Sequence, residues 1–317
     1  MDVLLASLPR SERELARRHL PDARLEPRNL TELAAAGPWP GVRTLSVMIH
    51  DQLTLEALEA FPDLEQVITR SAGYDHLPLD RLRERGAGAY HLGDYASTSV
   101  AHVATGMIVS LLHRFPEANA ATRNGVWDRS GLVGRSLQEV TVGLVGVGRI
   151  GQATAEVLGA FGCPRLLGHD PARPAWQAPD SFSWVTSLEE LLGQIDVVSL
   201  HAPLTAGTRH LLDADAIARM KPGSLLVNTA RGAIVDQEAV AAALDGGHLA
   251  GYAADVLPGE PTPTDLVRFQ DHPNVLLTPH LGAHNTATQA RRYETLARIL
   301  EAIRRRDTAF LAPYAAI

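Results

Sequence analysis

The chain has 317 residues and a formal net charge of -7 at pH 7, with 45% hydrophobic and 21% charged residues. That length suggests two domains, and the composition is ordinary for a globular protein. The acidic balance argues against a nucleic-acid surface. The one basic cluster, Arg304-Arg305-Arg306, reads as the solvated end of a helix. Cys163 is the single cysteine, so no internal disulfide forms, and its apolar neighbours mark it as a buried structural thiol. The N-terminal apolar run is too short for a signal peptide, and no run of about 18 apolar residues occurs. A cytoplasmic protein without membrane or nucleic-acid partners is expected.

The first 95 or so residues repeat a strand–helix rhythm, one domain's worth by length. Val3 to Ala6 reads as a strand and Ser11 to His19 as a helix capped by Ser11. Pro38 to Gly41 is a loop, and Arg43 to Ile49 is a strand. Thr54 caps a helix to Phe61, and Gln66 to Thr69 is a strand running into Arg70-Ser71-Ala72-Gly73-Tyr74-Asp75-His76. A helix from Pro78 to Arg85 stops at Gly86, and Ala89 to Leu92 is a further strand. Such alternation implies a parallel sheet with helices on its faces. Thr98 to about Arg123 is a long apolar segment, a connecting helix that Pro116 kinks or restarts.

The stretch from Val140 to Asp170 then organises the chain. An apolar run (Val140 to Val145) enters Gly146-Val147-Gly148-Arg149-Ile150-Gly151. A helical pattern and a second apolar run follow, ending in Asp170, about 20 residues on, as a dinucleotide site requires. Gly146 permits the tight turn, Gly148 lets the backbone approach a pyrophosphate, and Gly151 lets helix and strand pack closely. The helix N-terminus presents free N–H groups to phosphates. Asp170 can bond the ribose hydroxyls of NAD and would repel the 2′-phosphate of NADP. Further units follow: strands Ile195 to Leu200, Leu225 to Val227, Gly251 to Val256 and Val275 to Thr278, and helices Asp213 to Met220 and Gln237 to Asp245. The last helix runs from about Ala287 to Arg305.

Ligands bind at the carboxyl ends of parallel strands. Asp170, His201, Thr229, Arg231, Asp255 and His280 all fall there. Arg231 follows a strand and precedes a glycine, and a guanidinium can grip a carboxylate through paired hydrogen bonds. His280 follows the last strand of the domain and can exchange the proton of a carbonyl or hydroxyl. Glu260, in the loop Leu257-Pro258-Gly259-Glu260-Pro261, would orient that ring and stabilise its protonated form. Reduction of a 2-oxo acid needs these three groups and a hydride donor. Taken singly, Arg231 reads equally as a surface ion pair, Glu260 as a solvated loop acid and His280 as a core histidine. His201 reads as packing on the cofactor side, and His284 either reaches substrate or faces solvent. No metal site is expected.

At this point the sequence resembles the D-isomer-specific 2-hydroxyacid dehydrogenases, nearer their D-lactate-dehydrogenase-like branch. ITRSAGYDHLPLD (68–80), TVGLVGVGRIG (141–151), DVVSLHAPLTAGTRHLL (196–212), MKPGSLLVNTARGAIVD (220–236), GYAADV (251–256) and NVLLTPHLG (274–282) carry the resemblance. It implies an α/β protein of two doubly wound parallel-sheet domains. A Rossmann NAD domain (97–285) is inserted into a split flavodoxin-like substrate domain (1–96 plus 286–317), with the active site in the cleft. By resemblance Arg231 anchors and polarises the substrate, Glu260 pairs with the histidine and His280 is the acid/base. The backbone N–H groups of Ala72 and Gly73 look like the carboxylate cradle, and Tyr95 with Tyr74 lines a small pocket or packs under the loop. Besides the glycines, Arg149, Ile150, Asp170, Ala202, Pro203, Thr208, Thr229, Ala230, Asp255 and Gly282 map to cofactor contacts. Members are usually homodimers through the cofactor domain and the connecting helix.

The chain departs from the family pattern in two places. The usual Val-Ala-Glu-His opening of the connecting helix is Val100-Ala101-His102-Val103 here, and Ala283-His284-Asn285 follows the catalytic histidine. Phosphite-oxidising members place a lysine where Ala72 stands, and only His50 and Arg70 are candidates for the basic residue of phosphoglycerate-specific members. The expected activity is NAD-dependent interconversion of a small unphosphorylated 2-oxo acid and its D-2-hydroxy acid. Phosphoglycerate oxidation and an NAD(H)-sensing corepressor on the same fold are the alternatives.

Overall fold

The computed structural model describes residues 2–317, which divide into two compact units. One comprises the chain up to Ala96 with His284–Ile317, and the other is Ser97–Ala283.

In the first unit the order is β1 (Val3–Leu5), α1 (Arg13–His19), β2 (Arg24–Leu25), α2 (Leu30–Ala36), β3 (Thr44–Val47), α3 (Leu55–Glu59), β4 (Gln66–Thr69), α4 (Leu79–Glu84) and β5 (Gly88–Tyr90). The strands are parallel in the order β2-β1-β3-β4-β5, the flavodoxin-like arrangement that reverses direction between β1 and β3. Leu4, Leu45, Val47, Val67 and Ala89 are fully buried on these strands, because a sheet covered on both faces needs apolar residues throughout. The C-terminal tail returns to this unit: Ala316 N–H donates to Ala89 and His91 N–H to Tyr314.

Ser11 does not cap α1. It lies in a 3-10 turn, Arg10–Glu12, and the N-cap is Glu12, without a side-chain cap bond. Glu12 is 3% exposed and turned inward, where Arg292 Nη1 donates to it at 3.2 Å and Tyr293 Oη at 2.5 Å. That buried cluster sets the entry to α1 in place of a local cap.

The second unit runs α5 (Ser97–Leu112), α6 (Phe115–Arg123), β6 (Thr141–Val145), α7 (Arg149–Ala160), β7 (Arg165–His169), β8 (Phe182–Trp184), α8 (Leu188–Leu192), β9 (Val197–Leu200), α9 (Ala214–Ala218), β10 (Ser224–Asn228), α10 (Gln237–Asp245), β11 (Leu249–Ala254), α11 (Leu266–Phe269) and β12 (Val275–Leu277). The chain then re-enters the first unit as α12 (Thr286–Arg305) and α13 (Thr308–Leu311). Its seven strands are parallel, in the order β12-β11-β10-β9-β6-β7-β8. This is the doubly wound dinucleotide-binding order, with its switch point between β6 and β9. The connecting segment breaks before Pro116: Arg114 is left-handed (φ 56°), and α6 restarts at Phe115 with Pro116 in its first turn, where a missing N–H is tolerated. Cys163 is buried and unpaired, as its apolar neighbours implied.

Candidate active site

The glycine turn joins β6 to α7 at the switch point. Gly146 has φ +87°, and a Cβ there would lie 2.6 Å from the backbone nitrogen of Ala202. A Cβ on Gly151 would lie 2.2 Å from the carbonyl oxygen of Gly146, so α7 starts against the turn only because that Cβ is missing. Gly148 is different: a Cβ there would meet nothing within 4 Å. Its smallness serves no internal packing and leaves room for a ligand. Gly148 is also the N-cap of α7 and makes no side-chain cap bond, so the first-turn N–H groups of Arg149, Ile150 and Gly151 stay available for an anion. Asp170, at the tip of β7, accepts from Val147 N–H at 2.8 Å and from Ala172 N–H at 2.9 Å. It therefore braces the turn.

The opposite wall of the switch point is the end of β9. Ala202 is buried, and Thr208 closes the following turn by donating to Pro203 at 2.6 Å. The Thr229 hydroxyl is buried with no hydrogen-bond partner, a polar group of the kind a bound molecule satisfies. Open space at Gly148, uncapped helix amides and this hydroxyl fit a dinucleotide. His201 is half-buried as a residue, but its Nδ1 is sealed and without a partner, and Nε2 lies 3.0 Å from Ser199 Oγ. Burial pushes its pKa down to about 4, so it sits as a neutral packing group beside Gly151.

The chemistry-bearing residues sit on the ends of β10, β11 and β12. Asn228, fully buried at the end of β10, staples the next turn: its amide donates to Arg231 O at 2.9 Å and its oxygen accepts from Ala230 N–H at 3.0 Å. Arg231 is half-buried, and its Nη1 donates to Ala230 O at 2.8 Å. Gly232 lets this turn press on the loop carrying Glu260, since a Cβ there would lie 2.2 Å from the Leu257 carbonyl carbon. Glu260 Oε1 accepts from Leu257 N–H at 3.0 Å, and its Oε2 lies 2.6 Å from His280 Nδ1. Both side chains keep some exposure, 27% for the histidine and 20% for the acid. The Glu260–His280 pair expected from sequence is therefore formed.

Sequence reasoning missed how His280 is held. Its φ is 56°, left-handed backbone that a non-glycine residue rarely adopts. Asp255, 2% exposed at the end of β11, enforces it. Its carboxylate accepts from Leu281 N–H at 2.7 Å, from Gly282 N–H at 2.8 Å and from the Thr278 hydroxyl, while its carbonyl accepts from His280 N–H at 2.9 Å. Asp255 and Gly282, read from sequence as cofactor contacts, form this clamp. An acid at the end of one strand opposite a Gly-containing turn after the next was the visible signal.

The remaining predicted residues belong to the first unit. Ala72 and Gly73 leave β4 through Ser71, which is fixed by Leu92 N–H donating to its carbonyl at 2.9 Å and by its own hydroxyl donating to Gly73 O at 2.6 Å. Among the described residues no acceptor takes the N–H groups of Ala72 and Gly73. Tyr95 is 6% exposed, under the Arg292 guanidinium at 5.7 Å. Tyr74 is more open and packs on His91 with ring centroids 4.9 Å apart. His284 is exposed.

Residues 105–282 match the family described as D-isomer specific 2-hydroxyacid dehydrogenase, NAD binding domain. The chain is 36% identical to a glyoxylate reductase of Thermofilum pendens, over 82% of this chain and 77% of that protein. It is 33% identical to a hydroxypyruvate reductase of Thermotoga maritima, over 80% and 81%. Among solved structures, a D-lactate dehydrogenase from Aquifex aeolicus complexed with NAD and lactic acid is similar with a TM-score of 0.88 and 28% identity, covering 99% of this chain and 98% of that one. The chain thus belongs to the D-isomer-specific 2-hydroxyacid dehydrogenases, and it is an oxidoreductase whose cofactor is NAD.

Proposed function

We propose that the protein reduces a small, unphosphorylated 2-oxo acid to its D-2-hydroxy acid, and that it runs the reverse oxidation. The observation that carries this reading is the Glu260–His280 pair at 2.6 Å on the strand ends of the NAD unit, beside the Arg231 turn. The small acids named for the relatives, glyoxylate, hydroxypyruvate and lactic acid, support the substrate class.

The bound cofactor supplies or accepts a hydride. Gly146, Gly148 and Gly151, with the Arg149 and Ile150 amides, are assigned to its pyrophosphate, and Asp170 to its ribose. Ala202, Pro203, Thr208, Thr229 and Ala230 are assigned to the nicotinamide half. Arg231 holds the substrate carboxylate and polarises its carbonyl, with the Ala72 and Gly73 N–H groups as further donors and Tyr95 as pocket lining. Glu260 engages His280 Nδ1, which fixes the ring and leaves Nε2 to deliver a proton to the carbonyl oxygen as it becomes an alkoxide. In the reverse direction Nε2 takes the hydroxyl proton.

The partner is read as a second copy of the chain. Trp127 is 91% exposed and Val133 86%, on the arm that follows α6. A cavity of about 370 Å³ lies on the same unit, lined by Leu111, Leu225, Leu249 and Val133 together with Arg114, Glu117 and Arg135. Exposed apolar side chains grouped on one arm are what a two-fold interface covers.

Turnover of glyoxylate, pyruvate, hydroxypyruvate, phenylpyruvate and 2-oxoisocaproate, each with NADH and NADPH, tests the substrate reading. Activity with at least one of these acids and NADH is expected. Turnover confined to a phosphorylated acid would overturn it.

A further inference from the structure

Arg70 is fully buried where the first sheet reverses direction, the place where folds of this order hold a ligand. Here a side chain of the protein fills it. Arg70 follows β4, and its N–H donates to Val47 O at 2.8 Å, which extends the β3–β4 ladder. Its guanidinium reaches back across β3 to the end of β1. Nη1 donates to Ser46 O at 2.8 Å and Ser46 Oγ at 3.2 Å, and Nη2 donates to Ala6 O at 2.5 Å. Nε is buried and has no partner. Every bonded acceptor is neutral. The nearby acids are engaged elsewhere, Asp51 by the Ser7 hydroxyl at 2.5 Å and Met48 N–H at 2.7 Å, and Glu12 by Arg292 and Tyr293.

A permanent charge buried against neutral acceptors is costly, and a fold needing only volume here would use an apolar residue. What the guanidinium supplies is geometry: one planar fork joins three strands. The loop that leaves from Arg70 is the one that presents Ala72 and Gly73. Its next residue, Ser71, is tied by Leu92 N–H, and among the described residues the two N–H groups beyond it have no acceptor.

We propose that Arg70 is a positioning residue for substrate binding: it pins the base of the Ser71–Tyr74 loop to β1 and β3, so that the Ala72 and Gly73 N–H groups are preorganised for a carboxylate. The inference rests on the assignment of that loop to the substrate.

The test uses Arg70→Met, which removes the donors, and Arg70→Lys, which keeps the charge but not the fork. Leu45→Ala, a core cavity in β3 of the same unit, is the control for simple destabilisation. Amide hydrogen exchange of the apo protein should quicken in Arg70→Met over residues 70–77 and at Leu92. KM for the 2-oxo acid should rise about tenfold with kcat within about twofold, the pattern of lost ground-state positioning. The Kd for NADH should not change, Arg70→Lys should fall between, and Leu45→Ala should lower Tm without moving KM. Should Arg70→Met fail to fold, the lysine variant carries the same readouts. Unchanged loop exchange overturns the role of Arg70, whether or not the wild type turns over an oxo acid. A loosened loop with unmoved KM overturns it too, because the loop then does not serve the carboxylate. A wild type silent with every 2-oxo acid defeats the functional reading, and loop exchange still decides whether Arg70 pins the loop.

Discussion

A histidine with φ 56° is an unusual place for the side chain that we assign as proton donor. Strain of this kind costs on the order of 1–3 kcal/mol and persists only where neighbours over-determine it. Asp255 does so, by taking two successive N–H groups just beyond His280. Asp170 plays a comparable double part at the cofactor turn. Asp170→Ala should cost about 2 kcal/mol of NADH affinity, the worth of hydrogen bonds to a charged group. NADPH should lose less, since the carboxylate opposes its extra phosphate. Titration of both cofactors into the variant checks this, and a larger loss for NADPH contradicts it. His201 makes a pH prediction. Its folded pKa of about 4 lies below the ordinary 6.5. The unfolded chain takes up the proton first, so the stabilisation is complete above pH 6.5 and is lost as pH falls towards 4. The contribution is on the order of 3 kcal/mol. Tm of His201→Gln should therefore fall less steeply than that of wild type through this window. Parallel curves would show that the ring does not titrate there.

At the scale of elements, the long signals were legible and the short ones were not. β4 and α10 have the bounds that periodicity and flanking glycines gave them. Thr54 caps its helix as the sequence implied, accepting an N–H from the third residue on, and Asp213, expected as the first residue of its helix, is instead that helix's N-cap. β2, with two residues, and β8, with three, were missed. So short a strand has no period to detect, and each is fixed by pairing with a neighbour. α2 was missed although Asn29 and Glu32 form a capping box, a local signal that sequence carries. Ser11 failed as a cap because of Arg292 and Tyr293, some 280 residues away, which no local rule sees. Of the site, residue types, strand-end positions and the pairing of the Asp255 acid with a Gly-containing turn were readable, whereas the bonds by which Asp255 clamps that turn and the staple by Asn228 needed three dimensions. The β6–α7 junction gives the sharpest element-scale prediction. In Gly151→Ala the new Cβ would lie 2.2 Å from Gly146 O, so helix and turn must separate. NADH binding should fall below detection in calorimetry while the circular dichroism spectrum stays near that of wild type. Retained binding would show that close packing is not what Gly151 provides.

At the scale of the whole molecule, two parallel sheets each place their polar residues at the carboxyl edge, and the chain crosses between units at Ser97 and His284. No helix of the described residues is long and apolar enough to cross a membrane. The exposed Trp127 arm belongs to this scale. Trp127→Ala should convert a dimer to monomer in sedimentation velocity at micromolar protein, leaving NADH affinity unchanged. A wild type that sediments as a monomer at these concentrations removes the second copy as its partner.

The central claim is that His280, held by Glu260, moves the proton that accompanies hydride transfer. The most direct measurement is NADH oxidation by wild type and His280→Ala with the best 2-oxo acid, together with the Kd of NADH for both. Turnover should fall by roughly 10² to 10⁴, the worth of a positioned acid/base, with NADH bound equally well. Undiminished turnover in His280→Ala would contradict the account and remove His280 from the chemistry.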